Sequence, residues 1–233
     1  MPVTELARLT LLPPNTLTTP LLISKLEKAK RAMETYTHRN FAYMVPCGQD
    51  PDSKEPATLY ILGEWASVDQ HLNDWIPSQE NKELLEMLKD DVTVDWLIHV
   101  DAPREGMPFP VTDEGWKRLA RDDVWFSVDK FVAGESNEGE ERKGKEKDLF
   151  ERVLERARVG YEGVVGRGDG VGGGWIVERT EKGGREFVLC AAWKGNGGSE
   201  GWEKWREGFK KDVDVMGGEV VGGESVRVRR LDI

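Results

Sequence analysis

Cysteine is scarce in this chain: Cys47 and Cys190 are the only two in 233 residues. Two thiols cannot build a disulfide framework, and they lack zinc-site spacing. Both are expected as buried or half-buried thiols. Histidine is nearly as scarce, with His38, His71 and His99 alone. None has a second histidine at helical spacing, so there is no metal-site signature, and no required metal or other cofactor is expected. No stretch approaches the roughly 20 apolar residues that cross a bilayer, and no basic start is followed by an apolar run. A membrane partner is not expected, and a reducing, cytoplasmic location is. Cationic surplus is missing too: 33 Lys and Arg stand against 43 Asp and Glu, a net charge of −10. Without an excess positive field to gather phosphates, nucleic acid is not an expected partner.

What the chain has is an ordered alternation of patterns. Val3 to Leu12 is rich in strand formers and stops at Pro13-Pro14, where ladder donors vanish. From Pro20 to Tyr36, the residues Leu22, Leu26, Ala29, Met33 and Tyr36 fall at helical spacing, which predicts an amphipathic helix. Phe41 to Val45 and Thr58 to Trp65 read as an antiparallel strand pair. Ser67 caps a second helix with Val68, Leu72 and Trp75 as its apolar stripe, and Pro77 breaks it before Ser78 starts another turn carrying Leu84, Leu85 and Leu88. Val92 to Asp101 closes the block as a strand. Its alternation predicts Val92, Val94, Trp96, Ile98 and Val100 on one face.

The order strand, helix, strand, strand, helix, strand then recurs. Val124 to Val132, Trp175 to Thr180, Glu186 to Trp193 and Ser225 to Leu231 read as strands. Helices are marked by Phe150, Leu154, Ala157 and Tyr161, and by Trp202, Trp205, Phe209 and Val213. The run Leu59 to Trp65 registers on Phe187 to Trp193, each followed by a helix carrying Trp75 or Trp205. The fold class expected is therefore α+β: tandem ferredoxin-like βαββαβ units with antiparallel sheets packed as an intramolecular dimeric α/β barrel. The expected domains are 1–101 and 123–233, joined by a Pro-rich, charged linker at 102–122. A charged segment at 134–148 has no apolar periodicity and is expected as a mobile loop. A βαββαβ unit covers only one sheet face with its helices, and apolar residues on both faces, such as Tyr60 and Leu62 against Leu59 and Ile61, predict that the second face meets the other copy.

Two glycine motifs do not serve nucleotides. Gly168 to Gly173 fits a dinucleotide fingerprint by letter, but it precedes a strand instead of opening a helix after one. Gly139 to Lys145 has phosphate-loop spacing, yet Glu146 stands where magnesium would need a hydroxyl. No Gly-x-Ser-x-Gly elbow occurs.

His71 is the most informative titratable group, because the stripe Val68, Leu72 and Trp75 places it at the edge of the buried helix face, near a cavity mouth. The structural alternative is a histidine packed at a helix edge. His99 could reach a cavity from its strand, although a surface strand-end histidine is the simpler expectation. Glu64 and Asp74 flank the Trp65 to Trp75 segment, where a carboxylate turned into an apolar interior would gain basicity. Their alternative is an ordinary exposed or paired carboxylate. Nine tryptophans mainly imply core packing, but aromatic walls also suit planar ligands.

The opening Val3-Thr4-Glu5-Leu6-Ala7-Arg8-Leu9-Thr10-Leu11 and the run Leu62-Gly63-Glu64-Trp65-Ala66-Ser67-Val68-Asp69-Gln70-His71 resemble the antibiotic-biosynthesis-monooxygenase-like members of the dimeric α/β barrel superfamily, especially the tandem fungal proteins of that group. The resemblance covers most of residues 1 to 101, and residues 124 to 231 through element order and tryptophan placement. His71 matches a histidine frequent in that family after the Glu-Trp strand end. The resemblance implies a pseudo-dimeric monomer, compatible with a further homodimer, that binds a small planar hydrophobic or phenolic compound and acts as a cofactor-independent monooxygenase. His71 would then transfer the proton, with Trp65, Trp75 and Tyr43 shaping the pocket. The alternatives are a non-catalytic ligand-binding or stress-response barrel, and a polyketide cyclase-like enzyme. Family cyclases use a tyrosine and a histidine where this chain has Trp75 and Asn81. Haem-degrading relatives use a first-strand asparagine and a helix histidine, whereas this chain offers Glu5 and Arg8 and no histidine from Ser78 to Lys89.

Overall fold

A computed structural model describes residues 1–50, 55–121, 123–133, 151–152, 154–155, 157–159, 170–178, 185–195, 200–208 and 225–231. The expected loop at 134–148, the glycine motif at 139–145, and Phe150, Tyr161, Phe209 and Val213 lie outside these residues. The chain divides into two compact units. The first comprises Met1–Arg104, Val111–Asp113 and Val228–Ile233, and the second Glu105–Pro110 and Glu114–Arg227.

In unit 1 the order is β1 (Val3–Leu11), α1 (Pro20–Thr37), β2 (Ala42–Pro46), β3 (Thr58–Trp65), a π-helical segment (Gln70–Trp75), α2 (Gln79–Leu88) and β4 (Val92–Val100). The strands lie in the order β4-β1-β3-β2, and all three pairings are antiparallel. The tail of β8 (Ser225–Arg230) that belongs to this unit runs antiparallel along β2, with Met44 opposite Arg230. Helix α1 forms because Pro20 presets its first turn and Leu22, Leu26, Ala29 and Met33 recur on one side, and all four are buried. Burying each leucine side chain contributes roughly 1.5–3 kcal/mol. The helix stops at His38, whose left-handed backbone (φ 56°) lets its N–H reach the Glu34 carbonyl.

Strand alternation sorts β1 into two faces. Ala7, Leu9 and Leu11 join Leu22, Leu26, Tyr43 and Leu59 in the layer beneath the helices. Leu6, Leu62, Ile98 and Val100 occupy the other face and are buried as well, so unit 1 has apolar residues on both sides of its sheet. The alternation expected for β4 breaks, because Arg8 pairs with Trp96 while Leu9 pairs with Val94. Asp95 is thus an extra residue, a bulge that reverses parity, and its carboxylate takes the Thr10 hydroxyl at 2.8 Å and Arg8 at 3.3 Å. Val94 consequently leaves the face of Ile98 and Val100 and stands opposite Leu9, where it is exposed.

Unit 2 contains α3 (Asp113–Arg121, from Glu114 on), β5 (Val124–Ala133), β6 (Val171–Trp175), β7 (Arg185–Lys194) and the start of β8. Its strand order is β8-β5-β7-β6. Residues 200–208 are helical and bring Trp205 onto Phe131, Trp175, Phe187, Leu189 and Trp193. Two expectations are corrected here. The stretch read as a linker is folded: α3 buries Trp116, whose ring meets Phe126 at 5.6 Å, with Phe109 4.8 Å from Phe126. Met107 is buried along with Phe109 and Trp116, so apolar side chains set among the prolines and charges anchor it. The strand expected from Trp175 onward lies earlier, over the glycine run. A Cβ at Gly173 would stand 2.1 Å from the Val188 carbonyl oxygen, and one at Gly172 2.0 Å from that of Gly106. These glycines permit close backbone approach within a strand.

Candidate functional site

The candidate site is assembled by strand register. Glu5 on β1 pairs with Gly63 on β3 and with His99 on β4. Paired residues present side chains on one face about 5 Å apart, so the Glu5 carboxylate and the His99 imidazole become neighbours beneath the helices. Gly63 leaves room there: a Cβ would lie 2.1 Å from the Phe41 ring. Two residues further along β3, Trp65 returns to the same face, and its indole Nε1–H donates to Glu5 Oε2. Phe41 meets the Trp65 ring edge-on at 5.7 Å.

His71 arrives from the π-helical segment. The Ile76 N–H reaches the His71 carbonyl at 2.9 Å, a five-residue step that widens the turn. Residues four apart then share the inner side, which turns His71 and Trp75 inward and leaves Leu72 exposed. This corrects the expected stripe at Leu72, while Val68 and Trp75 pack into the core as expected. An α-helical period places Leu72 inside and His71 at the rim, and the wider turn exchanges them. The His71 ring lies flat on Trp65, 4.1 Å away and 3° from parallel. Its Nδ1 is 2.7 Å from His99 Nε2 and 3.4 Å from Glu5 Oε2. Glu5, Trp65, His71 and His99 are each at most 3 % exposed.

Two imidazole nitrogens at hydrogen-bond distance require one to donate and the other to accept. An added proton makes an imidazolium whose charge faces the Glu5 carboxylate. The cluster can therefore hold and pass a proton in a water-poor setting, where such charges interact strongly. Its ligand atoms, one each from Glu5, His71 and His99, also lie within 4.8 Å of one another.

The other residues singled out from sequence distribute unevenly. Trp75 is buried, 5.9 Å from Trp65 and 4.9 Å from Tyr36, and walls the cluster. Tyr43 is buried in the same layer, but its hydroxyl donates to the Leu26 carbonyl at 3.0 Å. Burial first, then the charges of Glu5 and Glu34, push that phenol above its ordinary range, so it stays protonated. Glu64 pairs with Thr4 on the opposite face. There it accepts the Arg104 backbone N–H at 2.6 Å and meets Arg39 at 3.1 Å, clamping the chain after β4. Asp74 is exposed on the outside of the π-helical segment and does not reach the cluster. His99 is fully buried, not at the surface, because its partner strand β1 continues past it.

Glu5 is not among the site residues that the sequence pattern marks. Its signal was a lone carboxylate among Val3, Ala7, Leu9 and Leu11 on an otherwise apolar strand face. Metal-ligand spacing also could not show the cluster, because the donors sit on three separate elements.

Unit 2 builds the same tryptophan contact without the histidines. Trp125 pairs with Trp193 and Ser127 with Ala191, and the Trp193 indole donates to Ser127 Oγ at 3.1 Å. Nearby, the buried Asp129 accepts from Ser225 and lies 3.4 Å from Arg206 Nε. Burial, chiefly, raises its pKa against those favourable contacts, and burial then Asp129 raise the Cys190 thiol. Cys47 is half-buried and Cys190 buried, neither in a disulfide.

No family model and no curated protein matches the sequence. Among the described residues no helix is long and apolar enough to cross a membrane. Solved structures do match over nearly the whole chain. A candidate monooxygenase from Lactobacillus acidophilus NCFM aligns at a TM-score of 0.51 and 10% identity, over 98% of this chain and 93% of its own. A candidate chlorite dismutase aligns at 0.53 and 10%, over 99% and 95%. A point variant of the chlorite dismutase from Candidatus Nitrospira defluvii aligns at 0.55 and 9%, over 99% and 91%. At such identity what the chain shares with these structures is the fold.

Proposed function

We propose that unit 1 binds a small planar hydrophobic or phenolic compound and removes its phenolic proton through His71, as a monooxygenase-like protein. The observation that carries this is the buried pair of imidazoles 2.7 Å apart with the Glu5 carboxylate 3.4 Å away. The pair can accept a proton, and Glu5 stabilises the resulting charge. The electron-rich anion then reduces dioxygen. In an anthrone, one oxygen atom enters the new carbonyl, and the other leaves as water with the two hydrogens lost from carbon. Trp65 and Trp75 supply flat apolar walls. His71 is 3 % exposed, so a substrate reaches it when the π-helical segment moves outward.

The finer architectural reading, two ferredoxin-like repeats of the antibiotic-biosynthesis-monooxygenase type, is supported by the strand orders β4-β1-β3-β2 and β8-β5-β7-β6. It is supported too by the matching donations from Trp65 to Glu5 and from Trp193 to Ser127. With Ser127 at the Glu5 place and Gly201 aligned with His71, the chemistry belongs to the first copy.

The test is oxygen uptake with a panel of quinols and anthrones, using chelator-treated wild type and His71→Gln. Loss of a general base costs about 10²–10⁴-fold, so uptake by the variant should fall at least that far. Uptake that His71→Gln leaves unchanged removes His71 from the mechanism. A second reading, a non-catalytic binder, is favoured by the near-complete burial of the cluster. Tryptophan quenching by a phenol with no uptake from any compound would select it.

A further inference from the structure

We infer that Glu5, His71 and His99 form a binding site for one divalent first-row transition ion, of the zinc or cobalt class. The inference rests on the same cluster as the proton-transfer reading, but not on any substrate.

The donor set comes first. Two imidazole nitrogens and one carboxylate oxygen suit borderline divalent ions and do not suit magnesium or calcium, which take oxygen ligands. The set is also compact, with the three ligand atoms within 4.8 Å of one another and all three residues buried. Bonds of about 2.1 Å at angles between octahedral and tetrahedral would separate ligand atoms by roughly 3.0–3.4 Å. The His71–Glu5 separation is 3.4 Å and the His71–His99 separation 2.7 Å. The two imidazoles would part by a few tenths of an ångström, on the order of a rotamer adjustment, and the Glu5 and His99 ligand atoms, within 4.8 Å of each other, would close onto the same ion. An ion would then replace the proton that now lies between them.

The supports are built as well. The Trp65 indole donates to the Glu5 carboxylate, and its ring lies flat against His71 at 4.1 Å. Outer contacts of this kind orient metal ligands. A buried carboxylate also gains from a nearby cation. Three donors leave a further coordination position open. Because the ion takes His71 Nδ1, the metal-bound state is closed to proton abstraction there.

The test uses the full chain, stripped with chelator and titrated with cobalt(II), then zinc(II). One equivalent of cobalt should give visible d–d absorption, and zinc should displace it. His71→Gln and His99→Gln should each weaken binding more than about 100-fold, while His38→Gln, at an exposed position, should not. Should the cluster variants fail to fold by circular dichroism, X-ray absorption on the zinc-loaded wild type decides instead, with two imidazoles expected at about 2.0–2.1 Å. Absent cobalt absorption, binding retained in the folded cluster variants, or fewer than two imidazoles around zinc each overturn the site. None of these readouts involves a phenol. A failed oxygen-uptake screen therefore leaves the metal site standing, and a failed titration leaves the proton-transfer reading standing.

Discussion

Replacing Trp65 by Phe removes one hydrogen-bond donor from one buried carboxylate, and its cost can be worked from the contacts. The indole N–H donates to Glu5 Oε2, and Glu5 is 2 % exposed, so water cannot replace the lost donor. A hydrogen bond to a charged group contributes about 1.5–3 kcal/mol. The smaller ring also loosens contacts with Phe41, Trp75 and His71, at roughly 1–2 kcal/mol for the space left behind. The single change should therefore destabilise by about 2.5–5 kcal/mol. The decisive quantity is the coupling in a double-mutant cycle with Glu5→Leu, which removes the carboxylate itself. If the indole serves Glu5, the two changes together cost about 1.5–3 kcal/mol less than their sum. Urea unfolding followed by far-ultraviolet circular dichroism is the assay, because fluorescence changes with the tryptophan. Additivity within about 0.5 kcal/mol would refute the proposed role of Trp65 in fixing the cluster.

Two further outcomes follow from unit 2. Gly173→Ala sets a Cβ 2.1 Å from the Val188 carbonyl oxygen, a backbone atom that cannot rotate away, so it should cost at least about 1–3 kcal/mol in the same unfolding assay; a neutral result would refute the close approach of β6 to β7. Asp129 has a folded-state pKa raised above its ordinary 3.8, chiefly by burial. Above 3.8 the unfolded state has lost a proton that the native state keeps, so wild-type stability falls as pH rises through the raised value. Asp129→Asn lacks this loss, and its stability relative to wild type should improve from pH 3.5 upward until the native carboxyl has ionised. A pH-independent difference between the two proteins would count against the raised pKa.

Local pattern was sufficient for most of the architecture. Apolar spacing located α1, and alternation between turn-forming segments located β1, β3, β5, β7 and β8, because periods of 3.6 and 2 are properties of contiguous residues. Trp65 and Trp193, which the sequence sets in register, each donate an indole N–H to the strand beside them. His71 was legible from its neighbours, although its depth was not. What contiguous residues could not decide was whatever depends on register or on a departure from regular winding. The bulge at Asp95, the wide turn at His71 and the glycine strand β6 each arise where backbone spacing answers to a partner segment. The meeting of Glu5, His71 and His99 is of that kind too. Sixty-five residues of chain lie between the first and the second, and only pairing of β1 with β4, with a histidine folded over them, makes three scattered donors into one cluster.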